Sequence, residues 1–207
     1  MPNPIKAIEG KVAPLKAENV DTDQIIPAQF LKLLSRRGLG KYAFYRWRYD
    51  EKGNPRPGFI LNDSRFSGAV ILIAGRNFGI GSSRENAVWA LTDLGIKCVI
   101  APSFGDIFYN NAAKNMLLCI RLPEKTVKIL QEKAESGDLT LRIDLESQKI
   151  TGGGLEISFD IEPHIRERFL KGLDDISLTL QYGNLIERYE KNMPEYLKPK
   201  PRRFIYE

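Results

Sequence analysis

Short runs of apolar residues alternate with segments of helical periodicity along the middle of this 207-residue chain. Residues 69–74, 97–101 and 117–122 are rich in consecutive apolar and β-branched side chains, which is typical of strands buried on both faces. Between them, apolar positions recur at helical spacing over residues 83–94 and 106–115. This alternation predicts an α/β domain with a parallel sheet, in which ligands bind at the carboxyl ends of the strands.

Further elements are predicted on both sides of this alternation. Pro123 is typical of a helix start and Gly137 of a helix end, and Gly152, Gly153 and Gly154 are predicted to join two antiparallel strands. The other predictions are a strand over 11–15, helices over 29–34, 123–134, 163–171 and 185–191, and strands over 139–145 and 155–161. We interpret residues 1–180 as one domain and residues 181–207 as an appended helix with a basic tail.

Residues 36–58 form an unusually long predicted loop, rich in aromatic, basic, glycine and proline residues. Loops of this length in compact domains are commonly functional or mobile. Its aromatic side chains need a surface to bury against; they are Tyr42, Phe44, Tyr45, Trp47 and Tyr49. Packing on the domain's own core and packing at a subunit interface are both open at this point.

The segment 75–86 joins a predicted strand to a predicted helix and carries the densest chemistry of the chain. Gly79 and Gly81 precede the helix, where unpaired N–H groups and the helix dipole favour an anion and where glycine lets a ligand approach closely. Ser82 and Glu85 match a capping box, and Arg84 offers a planar fork to a carboxylate. The segment therefore predicts a carboxylate site, with a tight turn, a capping serine and a surface arginine as the alternative.

The spacing of these residues differs from three familiar motifs. It is neither the dinucleotide-binding G-x-G-x-x-G nor the phosphate-binding G-x-x-x-x-G-K-[ST], and it lacks the G-x-S-x-G of a nucleophile elbow.

Four sequence blocks occur in the order found in one family. They are residues 19–27 (NVDTDQIIP), 77–85 (NFGIGSSRE), 101–111 (APSFGDIFYNN) and 172–176 (GLDDI). Together they resemble the small subunits of bacterial 3-isopropylmalate dehydratase, which form the swivelling domain of the aconitase superfamily. The resemblance implies a swivelling β/β/α-type domain with a mostly parallel sheet and flanking helices.

The same resemblance implies a function and a set of site residues. The implied reaction is a hydro-lyase interconversion of 2-isopropylmalate and 3-isopropylmalate in leucine biosynthesis, carried out with a large subunit that holds a [4Fe-4S] cluster. Ser82 resembles the base that moves the carbon-bound proton. The implied substrate-binding residues are Ser83 and Arg84 for a carboxylate, Asp23 lining the site, Arg36 near the substrate side chain, and Gly79 and Gly81 in the loop.

This chain is not expected to hold the cluster itself. A cubane cluster needs three or four thiolates, and the only cysteines are Cys98 and Cys119, both in apolar strand-like contexts. We interpret them as buried structural thiols. We expect no metal or cofactor on this chain and a heterodimer or heterotetramer with the large subunit.

Several positions depart from the family pattern and leave the substrate open. Asn86 stands where histidine is usual, Arg37 replaces a threonine, Ile80 stands where a cysteine or a small or polar residue is frequent, and Met116 replaces a glycine. Alternatives are a sister hydratase for a methylmalate, a dimethylmalate or a homoaconitate-like acid, or a non-catalytic carboxylate-binding module.

Charge and composition narrow the class of partner. The net charge is +5, but four of the basic residues and only one acidic residue lie in the last ten positions, so the body of the chain is nearly balanced. Nucleic-acid binding is therefore not expected. No apolar run approaches the roughly 20 residues needed to span a bilayer. Two cysteines without a disulfide framework and an N-terminus without a leader pattern predict a cytoplasmic protein.

Overall fold

Seven strands form one sheet in a computed structural model of the chain, which describes residues 2–33, 35–82 and 84–198. The strands are β1 (Ala7–Leu15), β2 (Ile71–Ala74), β3 (Cys98–Ala101), β4 (Leu118–Arg121), β5 (Thr140–Asp144), β6 (Lys149–Gly152) and β7 (Leu155–Ser158). Their order across the sheet is β4-β3-β2-β1-β5-β6-β7. The central strand, β1, therefore joins two halves of different character.

One half of the sheet is parallel and the other is antiparallel. Strands β1 to β4 pair in parallel, with Ile71 opposite Val12 on one side and opposite Cys98 on the other. All four residues of β2 and of β3 are buried, which explains their unbroken apolar character. The antiparallel pairs are β1 with β5, β5 with β6, and β6 with β7. The α/β class is confirmed, but only the β1–β4 half is parallel, so the sheet is more evenly mixed than expected.

Eight α-helices lie among the described residues. They are α1 (Thr22–Ile25), α2 (Tyr45–Arg48), α3 (Glu85–Asp93), α4 (Asp106–Lys114), α5 (Glu124–Ala134), α6 (Pro163–Lys171), α7 (Asp175–Leu180) and α8 (Gly183–Lys191). Helix α5 packs against β1, β2 and β3, and α4 packs against α3 and β4. These contacts bury the apolar stripes of the helices, as the sequence periodicity predicts.

Two predicted elements are wrong in detail. The helix expected over residues 29–34 is a single 3₁₀ turn, Ala28–Phe30, preceded by the four-residue helix α1, while Leu34 lies outside the described residues. The three glycines 152–154 do not join the strands predicted over 139–145 and 155–161. They connect β6 to β7, and β6 lies between β5 and β7. Only Ile150 of β6 is fully buried, which explains why its apolar signal is weak.

The aromatic side chains of residues 36–58 pack mainly on the domain itself. Phe44 is fully buried and stacks on Trp47 with ring centroids 5.7 Å apart. Tyr42 stacks on Phe30 at 4.1 Å, and Tyr45 contacts both of these rings. The backbone N–H of Phe44 donates to the carbonyl of Ile25, which fixes the start of α2 to the end of α1. The long loop is therefore an ordered layer over α1.

The last two helices are peripheral. Helix α8 has no buried residue, whereas α7 buries Ser177. Large apolar side chains stay exposed along this segment, namely Ile176, Leu180, Tyr182, Leu185, Tyr189, Tyr196 and Leu197. The predicted surface character of the helix over residues 185–191 agrees with this placement.

Candidate active site at the carboxyl ends of the parallel strands

Three loops that follow β1, β2 and β3 meet at one edge of the sheet. The N–H of Gly79 donates to the carbonyl of Val20 at 2.7 Å, and Asp21 pairs with Ile80 in a parallel bridge. A second parallel bridge joins Phe78 to Phe104. The loops thus continue the parallel pairing beyond the strands and bring three of the four sequence blocks together.

Asn77 holds these loops together and was not singled out by sequence reasoning. Its backbone is left-handed, with φ of 57°, a conformation that asparagine tolerates better than most residues. Its side-chain amide donates to the side chain of Asn19 at 2.8 Å, and its side-chain oxygen accepts from the Ser103 hydroxyl at 2.9 Å. Asn77 therefore links the loops after all three strands.

Gly79 and Gly81 give the loop its shape. Both have positive φ, 77° and 85°, which L side chains rarely adopt. A Cβ at Gly79 would lie 2.2 Å from Cγ of Phe108, whereas a Cβ at Gly81 would lie 3.3 Å from Cβ of Asp21. The close approach of α4 to the loop thus requires glycine at position 79.

Ser82 is exposed at the end of this loop and is fixed through its backbone. The hydroxyl of Thr22, a buried residue of α1, donates to the carbonyl oxygen of Ser82 at 2.5 Å. The hydroxyl of Ser82 is thereby directed by a backbone that α1 anchors, and the side chain faces solvent. The neighbouring Ser83 lies outside the described residues.

The predicted capping box of Ser82 and Glu85 is wrong. Helix α3 begins at Glu85, its N-cap is Arg84, and no side chain caps it. Glu85 instead accepts a hydrogen bond from the side-chain amide of Asn115. Ser82 lies two residues before the N-cap, and its carbonyl oxygen accepts the long-range bond from Thr22, so a tertiary contact replaces the expected local one.

A capping box does form, at α1. The Asp21 side chain accepts from the N–H of Gln24 at 2.7 Å, and the Gln24 side chain accepts from the N–H of Asp21 at 2.8 Å. This reciprocal pair satisfies two backbone donors at the helix start. This helix was not predicted, although the sequence contains its signal, an acidic residue followed three positions later by glutamine.

Arg84 and Asp23 form an ion pair at the centre of the site. The Arg84 guanidinium donates to Oδ1 of Asp23 at 2.5 Å, with side-chain exposures of 20% and 32%. Oδ1 also accepts from the N–H of Ala28 at 3.0 Å, and Arg46 of α2 donates to Oδ2 at 2.9 Å. The hydrogen bond from Arg84, with the Ala28 N–H and the charge of Arg46, lowers the pKa of Asp23 against the opposing effect of burial.

Arg36 lies apart from this pair. Its guanidinium stacks over the ring of Trp89 at 4.4 Å, one turn along α3 from Glu85. It lines a cleft of about 700 Å³ together with Glu85, Asn115 and Met116. Met116 has a left-handed φ of 58°, which suits the glycine that the family pattern has there. The structure therefore brings Asp23, Arg84 and Ser82 together and leaves Arg36 in an adjacent cleft.

A second cleft of about 710 Å³ is lined by Tyr109, Arg121, Glu162 and neighbouring residues of α6. The Tyr109 hydroxyl donates to Glu162 at 2.5 Å, and the Arg121 guanidinium lies 3.9 Å from the centre of the Tyr109 ring. Burial, followed by the bond to Glu162, raises the pKa of Tyr109. These groups satisfy one another, and we assign the chemistry to the loop site.

The residues of this chain do not fit an iron–sulfur cluster. Cys98 and Cys119 are buried and unpaired in β3 and β4, which confirms their interpretation as structural thiols. Burial raises the pKa of both thiols, so the thiolate form that ligates iron is disfavoured. Within residues 2–33, 35–82 and 84–198, no group of three or more His, Cys, Asp or Glu side chains is placed to hold a metal ion. Among the same residues, none of the helices combines the length and apolar character of a membrane span.

Two family models and several named relatives match this chain. The family model of the aconitase C-terminal domain matches residues 3–125, and a model described as LeuD_N matches residues 128–163. A protein named 3-isopropylmalate dehydratase small subunit from Bacillus licheniformis is 52% identical over 94% of this chain and 98% of its own length. One of the same name from Bacillus subtilis is 50% identical over 94% of this chain and 98% of its own length.

One solved structure is similar to this chain over most of its length. The crystal structure of 3-isopropylmalate dehydratase (leuD) from Methanocaldococcus jannaschii has a TM-score of 0.62 and 29% sequence identity, covering 88% of this chain and 98% of that one.

Proposed function

Because this chain belongs to the family of 3-isopropylmalate dehydratase small subunits, we propose that it is the small subunit of a hydro-lyase that interconverts 2-isopropylmalate and 3-isopropylmalate in leucine biosynthesis. The observation that carries the proposal is the Asp23–Arg84 pair beside exposed Ser82, in a chain about half identical to its relatives over nearly its whole length. The enzyme class is hydro-lyase. The name of the relatives implies a larger partner chain.

The proposed reaction requires the removal of a proton from one carbon and the loss of hydroxide from the next. Removal of a proton from the carbon next to one carboxylate, with loss of hydroxide from the adjacent carbon, gives an alkene and water. Addition of water in the opposite sense moves the hydroxyl to the neighbouring carbon. Charge builds up on the carboxylate as the proton leaves, so fixed cations near that carboxylate lower the barrier.

We assign Ser82 to the proton transfer and Arg84 to a substrate carboxylate. Ser82 is exposed, and its backbone is held by Thr22, so the hydroxyl is free to face a bound molecule. Arg84 is two residues away, and its guanidinium favours an anion next to the serine. Ser83, Gly79 and Gly81 remain proposed binding residues of the same loop, and Arg36 is proposed to contact the substrate side chain from the adjacent cleft.

The remaining chemistry belongs to the partner. We propose a large subunit that holds a [4Fe-4S] cluster, because the two thiols of this chain are buried in neighbouring strands. A cluster held by that subunit would supply Lewis-acid assistance to the loss of hydroxide. The assembly is proposed to be a heterodimer or heterotetramer in the cytoplasm.

The test is proton exchange in the assembled enzyme. Ser82→Ala is expected to abolish deuterium incorporation from solvent at the substrate carbon. Its melting temperature should stay within about 2 °C of the wild type, because Ser82 does not cap α3 and exposed substitutions shift stability by only about 0.5 kcal/mol. Ser67→Ala is the matched control, since Ser67 is exposed in the turn at the other end of β2. Normal deuterium exchange in Ser82→Ala would show that another residue acts as the base.

The second candidate function is that of a sister hydratase, which acts on a related hydroxy acid. The observation that favours it is the cleft of Arg36, where Met116 stands at a left-handed position. A turnover screen of the assembled pair over isopropyl-, methyl- and dimethylmalate and homoaconitate separates the two. Preference for isopropylmalate supports the first proposal. Turnover of none of them, by a pair that carries an intact cluster, favours a non-catalytic carboxylate-binding module.

A further inference from the structure

Asp23 is shared between two arginines that reach it from different parts of the fold. Arg84 comes from the loop after β2 and binds Oδ1, whereas Arg46 comes from α2 and binds Oδ2. The Arg84 side chain is 20% exposed and that of Arg46 is 63% exposed. The two cations thus bind opposite oxygens of one carboxylate, and the outer one is the more accessible.

The position of Arg46 is set by the aromatic layer, that is, by the aromatic side chains of residues 36–58 that pack over α1. Its neighbours in α2 are held by rings, Tyr45 against Phe30 at 4.9 Å and Trp47 against Phe44 at 5.7 Å. The N–H of Phe44 also donates to the carbonyl of Ile25 at 2.7 Å, at the end of the helix that carries Asp23. A four-residue helix has little stability of its own, so these contacts are what place Arg46 beside Asp23.

Substrate binding changes the balance of charge at this point. Under the proposed function, a dicarboxylate places one carboxylate on Arg84, which is already bound to Asp23. The two carboxylates then share the charge of one guanidinium, of which Nη1 alone donates to Asp23. An Asp23 whose charge is less fully balanced repels the second carboxylate of the substrate more strongly.

We propose that Arg46 is a positioning residue for substrate binding, which keeps the charge of Asp23 balanced when a substrate carboxylate shares Arg84 with it. The inference rests on the proposed function. It assigns a purpose to the aromatic layer of residues 36–58, which carries Arg46 to the site. Arg46 does not touch the reacting atoms; it acts through Asp23 and affects binding more than the chemical step.

The experiment is a double-mutant cycle in the complete complex with the large subunit. Arg46→Ala is expected to raise the KM for 2-isopropylmalate about tenfold, the loss expected for one charge-assisted contact, while kcat stays within about twofold. Arg46→Lys should restore part of the affinity. In an Asp23→Asn background, Arg46→Ala should leave KM unchanged, because no carboxylate remains to be held.

Lys41→Ala is the matched control. Lys41 is an exposed cation of the same layer, and its ammonium lies over the Tyr42 ring. Its removal changes the net charge by the same amount and should leave KM unchanged. An equal rise in KM for Arg46→Ala with Asp23 and with Asn at position 23 would overturn the proposal. So would a fall in kcat at constant KM.

Calorimetric titration of 2-isopropylmalate onto the same complexes, each carrying Ser82→Ala to prevent turnover, compares the binding affinities directly. An inactive wild-type complex therefore contradicts the proposed function, while the binding cycle still decides the role of Arg46. Affinity that does not depend on Arg46, or no measurable binding, overturns the positioning role.

Discussion

The hydroxyl of Thr22 and the carbonyl oxygen of Ser82 are joined by a hydrogen bond of 2.5 Å, although 60 positions separate them in the chain. Thr22 is the first residue of α1, and its side chain is buried. This bond fixes the backbone of the proposed base from outside its own loop. The geometry of Ser82 therefore depends on a buried residue of another element.

Replacement of Thr22 tests this dependence. Thr22→Val keeps the shape and removes the hydroxyl, and it is expected to lower the free energy of unfolding by about 1–2 kcal/mol. Turnover of the assembled enzyme should fall more than tenfold, because the Ser82 backbone loses its anchor. Thr22→Ser keeps the donor and should retain most of the activity. Urea denaturation and initial rates check both; full activity of Thr22→Val would show that the bond is dispensable.

The two loop glycines are expected to respond differently to alanine. Gly79→Ala places a Cβ into the Phe108 ring in a left-handed backbone, so the free energy of unfolding should fall by about 3 kcal/mol. A Cβ at Gly81 would meet only Cβ of Asp21, at 3.3 Å, so Gly81→Ala should cost about 1 kcal/mol, mainly from the left-handed backbone. Denaturant unfolding of both variants provides the measurement. Equal losses would contradict the packing role of Gly79.

Acid should weaken the contribution of Asp23 to stability. The hydrogen bond from Arg84 lowers the pKa of Asp23 in the folded protein, so its stabilising contribution is present above the unfolded pKa of about 3.9. That contribution is lost as the pH falls through the lower folded pKa. The difference in unfolding free energy between the wild type and Asp23→Asn should therefore be constant above about pH 5 and shrink below about pH 4. A difference that grows on acidification would show that the pair does not stabilise the fold.

Both thiols should be unreactive toward thiol reagents in the native protein. Cys98 and Cys119 are buried, and burial raises their pKa values. Ellman's reagent at pH 8 is expected to modify neither thiol in the folded subunit and both in urea. Cys98→Ala and Cys119→Ala variants assign any residual reaction. Rapid modification of either thiol in the folded protein would contradict its placement.

The division of the chain near residue 180 predicts how truncations behave. Ending the chain after Gln181 removes α8, which has no buried residue, so the melting temperature should change by less than about 2 °C. Ending it after Leu173 also removes Asp175, which pairs with buried Arg168 at 2.5 Å. That truncation leaves Arg168 its longer hydrogen bond to the main-chain oxygen of Leu173 at 3.5 Å and also removes buried Ser177, so the free energy of unfolding should fall by about 1–3 kcal/mol. Calorimetry of the two truncations compares them.

The elements that the sequence predicts best are those with strong local patterns. Strands β2 and β3 are fully buried and read as unbroken apolar runs, and α5 carries a regular apolar stripe. Strand β6 was missed because Ile150 is its one fully buried side chain. Helix α1 was missed because it is a single turn, although its capping pair, Asp21 and Gln24, is visible in the sequence.

The sequence offers candidate members of the site but not the contacts between them. Resemblance to a family named Asp23, Arg84 and Ser82, and the structure places the first two in direct contact. The contribution of Arg46 depends on ring packing around α2, which no local pattern encodes. Ser82 matched a capping box by spacing, yet a distant hydroxyl holds its backbone. Long-range contacts decide these features.

The central place of β1 has a consequence for how the chain folds. This strand precedes both of its neighbours in the chain, and Val12 pairs with Ile71 and Ile8 pairs with Ile143. Neither partner exists until much of the chain has left the ribosome, and closing such large loops is slow. Nascent β1 therefore spends a long interval with both edges unpaired, during which it is prone to aggregate and is a natural substrate for chaperones.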